Sequence, residues 1–219
     1  PMELEKFTNT YFGLLAKKAA PFGFQPEPLV AAVWKGTKAM VKNDGTETND
    51  KRFWDTFAGE MGEEVLQLRP VFDGFYANEF HGAKAACGEN PLARRAIDGL
   101  KAKGYDVILA TNPIFPLVGV ETRLSWVGLR PEDFSYITAY ENSTTCKPNP
   151  AYYAEILRKT GKRPQECLMV GNDATEDTAA LEQGIGVYLV TDCLLNPKGR
   201  DISGVPQGTF AAFLEFAGV

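Results

Sequence analysis

Four short apolar runs in the second half of the chain constrain its fold most. Residues 105–110, 136–139, 167–170 and 186–190 are continuously apolar or nearly so, and each is too short for a buried helix. Runs of this length and character read as strands buried on both faces. Between them, residues 118–127, 151–159 and 178–183 read as helices, and residues 92–103 form one more, closed by Gly104 as a C-terminal glycine. Strands alternating with helices predict an α/β fold, a doubly wound, Rossmann-like parallel sheet. In such sheets ligands bind beyond the carboxyl ends of the strands.

The first half reads differently. Leu4, Phe7, Tyr11, Leu14 and Leu15 recur at helical spacing. Residues 28–40 predict a second apolar helix, residues 50–60 and 62–68 two more, and residues 70–80 another. Residues 41–49 are polar, with Asp44-Gly45 as a turn signal. No segment here alternates with period two. The spacing predicts a helical unit over residues 1–86, packed on Phe22, Phe24, Trp34, Phe53, Trp54, Phe57, Phe72 and Phe75, and an α/β unit over residues 87–219. A helix over residues 209–216 returns to the edge of the second unit.

Composition excludes several functions. A net charge of −5 argues against a dominant nucleic-acid partner. No apolar run approaches the roughly 20 residues that span a bilayer, so no membrane partner is expected. The four cysteines Cys87, Cys146, Cys167 and Cys193 match neither a paired zinc site nor a CxxC motif, and read as reduced thiols of a cytoplasmic protein. The single histidine, His81, rules out a multi-histidine metal site. It reads as a surface or partly buried residue.

Chemistry therefore falls to carboxylates, lysine and threonine, and three polar segments gather them. Thr111-Asn112 directly follows a predicted strand, where a hydroxyl, an amide and the backbone N–H groups of a turn can hold an oxyanion or phosphate; an ordinary strand-end turn is the competing explanation. Lys147 sits in Lys-Pro-Asn-Pro. Pro148 keeps it out of helical geometry and Pro150 suits the first turn of the next helix. A cation at a helix start meets an unfavourable macrodipole, which favours a functional role over a solvated surface lysine. Asp173 and Asp177 follow the run at 167–170, four residues apart, with Glu176 between them. N-capping explains one such acid. Carboxylates sharing one face repel unless a cation is near, and hard oxygen ligands suit Mg²⁺.

Together these segments resemble the haloacid dehalogenase (HAD) superfamily. Thr111 matches the family's second motif, Lys147 the third, and Asp173 with Asp177 the fourth. The helical half stands where members carry a C1 cap. The resemblance implies an enzyme, a Mg²⁺-dependent phosphatase that acts on a small phosphorylated metabolite through an aspartyl-phosphate. Thr111 and Asn112 would hold the transferring phosphoryl group, Lys147 would neutralise its charge, and Asp173 and Asp177 would hold the metal, Asp177 also orienting Lys147. The family's first motif, Asp-x-Asp, has no match, since no aspartate precedes Asp44. The family's first strand lies mid-sheet, so without it the sheet would be split, with unpaired central edges. We therefore expect a strand and turn of roughly 10–15 residues ahead of Pro1. A metal-independent 2-haloacid dehalogenase and a non-catalytic binding protein of the same fold are the alternatives. The acidic pair favours the phosphatase. Oligomeric state is open.

Overall fold

The computed structural model describes residues 4–219; the Pro1-Met2 opening lies outside the described residues. The first part holds α1 (Leu4–Ala19), α2 (Pro26–Val41), α3 (Asn49–Met61) and α4 (Arg69–Ala77). Phe7, Tyr11 and Leu15 recur every fourth residue of α1 and are buried, one apolar stripe of an amphipathic helix. They join Phe57, Phe72, Phe75 and Phe80 in one aromatic-rich core. Phe75 and Phe80 are wholly buried.

Several sequence expectations change here. Residues Glu63–Leu68 wind as a 3-10 helix instead of an α-helix. Gly62, at φ 94°, ends α3, and Pro70 lacks the N–H that a continuous helix into α4 would use. Phe22 and Trp34, expected in the core, are about half exposed. Trp34 instead packs at a tilt against Phe12 at the edge of the core, ring centroids 5.5 Å apart.

The second part runs α5 (Leu92–Ala102), β1 (Ile108–Leu109), α6 (Leu117–Trp126), β2 (Tyr136–Ile137), α7 (Pro150–Thr160), β3 (Leu168–Gly171), a 3-10 helix at Thr178–Gln183, β4 (Gly186–Val190), β5 (Gln207–Gly208) and α8 (Phe210–Ala217). All pairings are parallel. They form two sheets, β1–β2 and β3–β4–β5. The expected runs at 105–110 and 136–139 thus shrink to two paired residues each. β1 and β3 are each hydrogen-bonded along one edge only, and their residues are half-buried or exposed. β5 is unexpected, because Gln207-Gly208 carries no apolar signal. The helix expected at 178–183 is 3-10. Ile108, Met169, Val187 and Leu189 share one apolar cluster with Tyr152 and Ile156 of α7, which brings the ends of β1 and β3 together. A groove of about 1240 Å³ runs past Leu109 of β1 and Thr111 just beyond it, and past Asn172 just beyond β3 and Val190 of β4.

Asn49, wholly buried at the start of α3, joins the two parts. Its Nδ2 donates to the Pro113 carbonyl at 3.1 Å, and its backbone N–H donates to the Ser143 carbonyl at 2.8 Å. No helix among the described residues is long and apolar enough to cross a membrane.

Candidate active site

The site is built at the ends of β1 and β3 and closed by the start of α7. The Thr111 carbonyl accepts hydrogen bonds from Thr138 Oγ1 and Tyr152 Oη, both at 2.7 Å. These fix the backbone while the Thr111 hydroxyl makes no hydrogen bond among the described residues. Asn112 bridges the two other motifs. Its Oδ1 accepts from the Lys147 backbone N–H at 3.2 Å, and its Nδ2 donates to Glu176 Oε1 at 2.8 Å.

Lys147 is buried, which removes the solvated-lysine explanation. Its Nζ donates to Asp177 Oδ1 at 2.7 Å and lies 5.8 Å and 5.9 Å from the ring centroids of Tyr152 and Tyr153. α7 places those tyrosines because Asn149 caps it, its Oδ1 accepting from Ala151 N, and Pro150 opens it. The other Asp177 oxygen accepts the Asp173 backbone N–H at 2.9 Å. Gly171 makes room for this carboxylate: a Cβ there would come within 2.0 Å of Asp177 Oδ2.

Asp173 Oδ1 accepts the backbone N–H groups of Thr175 and Glu176 at 2.7 Å and 2.8 Å, so it does cap the turn. Its Oδ2 has no hydrogen-bond partner among the described residues and remains available to a cation. Lys147 thus pairs with the Asp177 carboxylate and lies near that of Glu176, while Asp173 adds a third carboxylate to the same turn. Burial pushes the Glu176 carboxyl above its usual range; Asp173 and Asp177 add to that, while Lys147 and Asn112 oppose it. A site with surplus negative charge and a free carboxylate oxygen fits a hard divalent cation. No three His, Cys, Asp or Glu side chains among the described residues are placed to hold a metal ion together. Mg²⁺ needs only one or two carboxylates beside water and substrate oxygens.

The site therefore brings together all five predicted residues, Thr111, Asn112, Lys147, Asp173 and Asp177. Sequence reasoning missed Tyr152, Tyr153 and Thr138 as supports. Tyr153 Oη donates to the Glu176 carbonyl at 2.8 Å. Their signal was the position of the two tyrosines in the first turn after Lys-Pro-Asn-Pro. His81 is exposed and accepts from Trp126 Nε1 at 3.3 Å, outside the site. A second cavity, of about 250 Å³, lies between the helical part and Thr111-Asn112, with Tyr11, Trp54, Phe57 and Tyr140 in its walls.

A family model for haloacid dehalogenase-like hydrolases matches residues 14–184, most of the chain. The chain belongs to that family. It is a hydrolase, with the family's Rossmann-like core and a helical cap. No curated protein matches it. Among solved structures it is similar to a predicted phosphoglycolate phosphatase from Haemophilus somnus 129PT, with a TM-score of 0.55, 18% identity, and coverage of 97% of this chain and 92% of that one. It is equally similar to the L-2-haloacid dehalogenase RSc1362, with a TM-score of 0.55, 14% identity, and coverage of 100% and 94%. A HAD family enzyme, BT-2542 from Bacteroides thetaiotaomicron, solved as a mutant with magnesium and inorganic phosphate, gives a TM-score of 0.51, 18% identity, and coverage of 93% and 91%. At these identities the likeness shows the fold alone.

Proposed function

We propose that this hydrolase is a Mg²⁺-dependent phosphatase of a small phosphorylated metabolite. The observation that carries the reading is the acidic turn: Asp173 keeps an oxygen free beside a surplus of negative charge, while Asp177 holds Lys147 in place. A metal-independent dehalogenase has no use for that surplus. The magnesium and phosphate bound to the HAD enzyme from B. thetaiotaomicron support it by analogy.

In this reading the Thr111 hydroxyl and the backbone N–H groups after β1 hold phosphoryl oxygens. Lys147, desolvated and fixed by Asp177, neutralises the charge that grows as phosphorus is attacked. Such preorganised donors are worth far more in a water-poor site than in solution. Bound to Asp173, Mg²⁺ would supply further charge neutralisation and orient the phosphoryl group. The nucleophile would be an aspartate at the end of a strand beside β1 and β3, each of which is hydrogen-bonded along one edge only. The helical part, over residues 1–86, would act as the cap that excludes water and selects the leaving group, and residues 87–219 as the core.

The test is hydrolysis of p-nitrophenyl phosphate across a Mg²⁺ titration, with an Asp-x-Asp strand joined to the chain or added as a peptide. Hydrolysis should depend on Mg²⁺, and Asp173→Asn should lower it by about 10²-fold or more without changing the melting temperature by more than a few degrees. Chloride release from 2-chloropropionate, with no metal requirement, would replace this reading by the dehalogenase.

A further inference from the structure

Arg123 is a half-buried charged residue that the candidate site does not account for. It lies on α6, partly buried, and lines both the 250 Å³ cavity and the groove beside it. Its guanidinium makes no hydrogen bond and no ion pair among the described residues. Instead it stands over two aromatic faces, 5.6 Å from the ring centroids of Phe7 and Phe115. Burial pulls its pKa below the usual arginine range, opposed by the Cys87 thiol. The other charged wall residue, Asp73, has its charged neighbours elsewhere, in Arg69 and Asp50.

A guanidinium stays protonated in a protein and carries five donors in a planar fork. Aromatic faces offset part of its desolvation but accept hydrogen bonds poorly. Leaving such a group unsatisfied is costly, and a planar carboxylate satisfies it bidentately. The remaining walls of the cavity, among them Trp54, Phe57 and Tyr140, offer apolar surface to whatever carries that carboxylate. At about 250 Å³ the space falls just under the ~300–1,000 Å³ usual for ligand sites, which suits a single ring or short chain and leaves no room for a nucleotide.

We propose that Arg123 is a specificity residue that anchors the carboxylate of an apolar-bodied, single-ring or short-chain substrate within the aromatic cavity, whose walls also include Thr111 and Asn112 of the phosphoryl site. It rests on the phosphatase reading only for the reaction that follows, since the carboxylate site is a binding site in its own right.

The test is therefore direct binding, with no turnover. Phenylacetate and its neutral isostere phenylacetamide are titrated against the protein by calorimetry and by the fluorescence of Trp34 and Trp54, which both line the cavity. Phenylacetate should bind about tenfold tighter or better, the scale of one charge-assisted hydrogen bond. Arg123→Gln should bring the two ligands to parity, and Arg123→Lys should keep only part of the preference. Inorganic phosphate should leave the phenylacetate affinity unchanged. Equal binding of the two ligands by the wild-type protein would overturn the proposal whether or not any variant folds. So would a preference that survives in a folded Arg123→Gln, or competition by phosphate, which would put the carboxylate at Lys147. None of these results bears on Mg²⁺-dependent hydrolysis, so the two readings fail separately.

Discussion

In the helical part, Phe80 meets Phe7, Tyr11, Phe75, Tyr76, Phe115 and Trp126 at ring-centroid distances of 5.2 to 6.1 Å. In the strand-end site, Lys147 has one carboxylate, and Asn112 has one partner for each end of its amide. The first arrangement is redundant and nondirectional: many small dispersion and area terms sum, and no single one sets the geometry. The second is directional and has no spares, and each bond joins segments tens of residues apart in the chain. Stability resides mainly in the first kind of region. The second fixes polar groups within tenths of an ångström, which electrostatic catalysis requires.

The largest effect should come from opening the aromatic core. Phe75→Ala removes a wholly buried ring and should cost about 3–5 kcal/mol of unfolding free energy. A urea titration reading less than about 1 kcal/mol would mean that the neighbouring rings close the cavity. The contrast with the site would then be one of plasticity as well as redundancy. Next comes the buried pair. Asp177→Leu strands the Lys147 ammonium and should cost about 3 kcal/mol, toward the lower end for broken buried pairs because the Tyr152 and Tyr153 faces still meet the charge. The double variant Lys147→Met with Asp177→Leu should recover most of that loss, because two apolar groups of similar size need no partner. A double variant no more stable than the single one would show that packing against Gly171, and not charge, holds Asp177 in place.

The same contrast explains what was legible in the sequence. Helices of the first part show in the spacing of Phe7, Tyr11 and Leu15, because burial imposes a period. Thr111, Asn112, Lys147, Asp173 and Asp177 show because each adjoins a strand end or a helix start. Illegible were features that depend on distant partners. The shortness of β1 reflects an edge with no neighbour in its sheet, a matter of topology. The 3-10 winding at Glu63–Leu68 was marked by Gly62 and Pro70, but a helical pattern of apolar residues masked it. Arg123 is a helix-face arginine by sequence, and only the packing of Phe7 and Phe115 against it makes it unusual.

The smallest effect isolates burial from chemistry, because the protein carries a second charge pair in wetter surroundings. Arg94 reaches Asp133 with both arms of its fork, one at 2.8 Å and one at 2.5 Å, and Asp133 Oδ2 also accepts the Arg130 backbone N–H at 2.7 Å. The Arg94 side chain is about a third exposed, against 6% for Lys147. Solvent screening should therefore keep the cost of Asp133→Asn well below that of Asp177→Leu at neutral pH. The Arg94 guanidinium lowers the Asp133 carboxyl from 3.8 to about 2, helped by the Arg130 backbone N–H. A carboxylate depressed in the folded state stabilises it above its unfolded pKa, and that contribution is lost as pH falls through the folded value. The advantage of wild type over Asp133→Asn should thus hold above about pH 4 and shrink between there and pH 2, followed by thermal melts of both proteins across that range. An advantage as large as that of the Lys147–Asp177 pair would show that bidentate geometry outweighs burial. One unchanged down to pH 2 would show that the substitution had cost packing instead of charge.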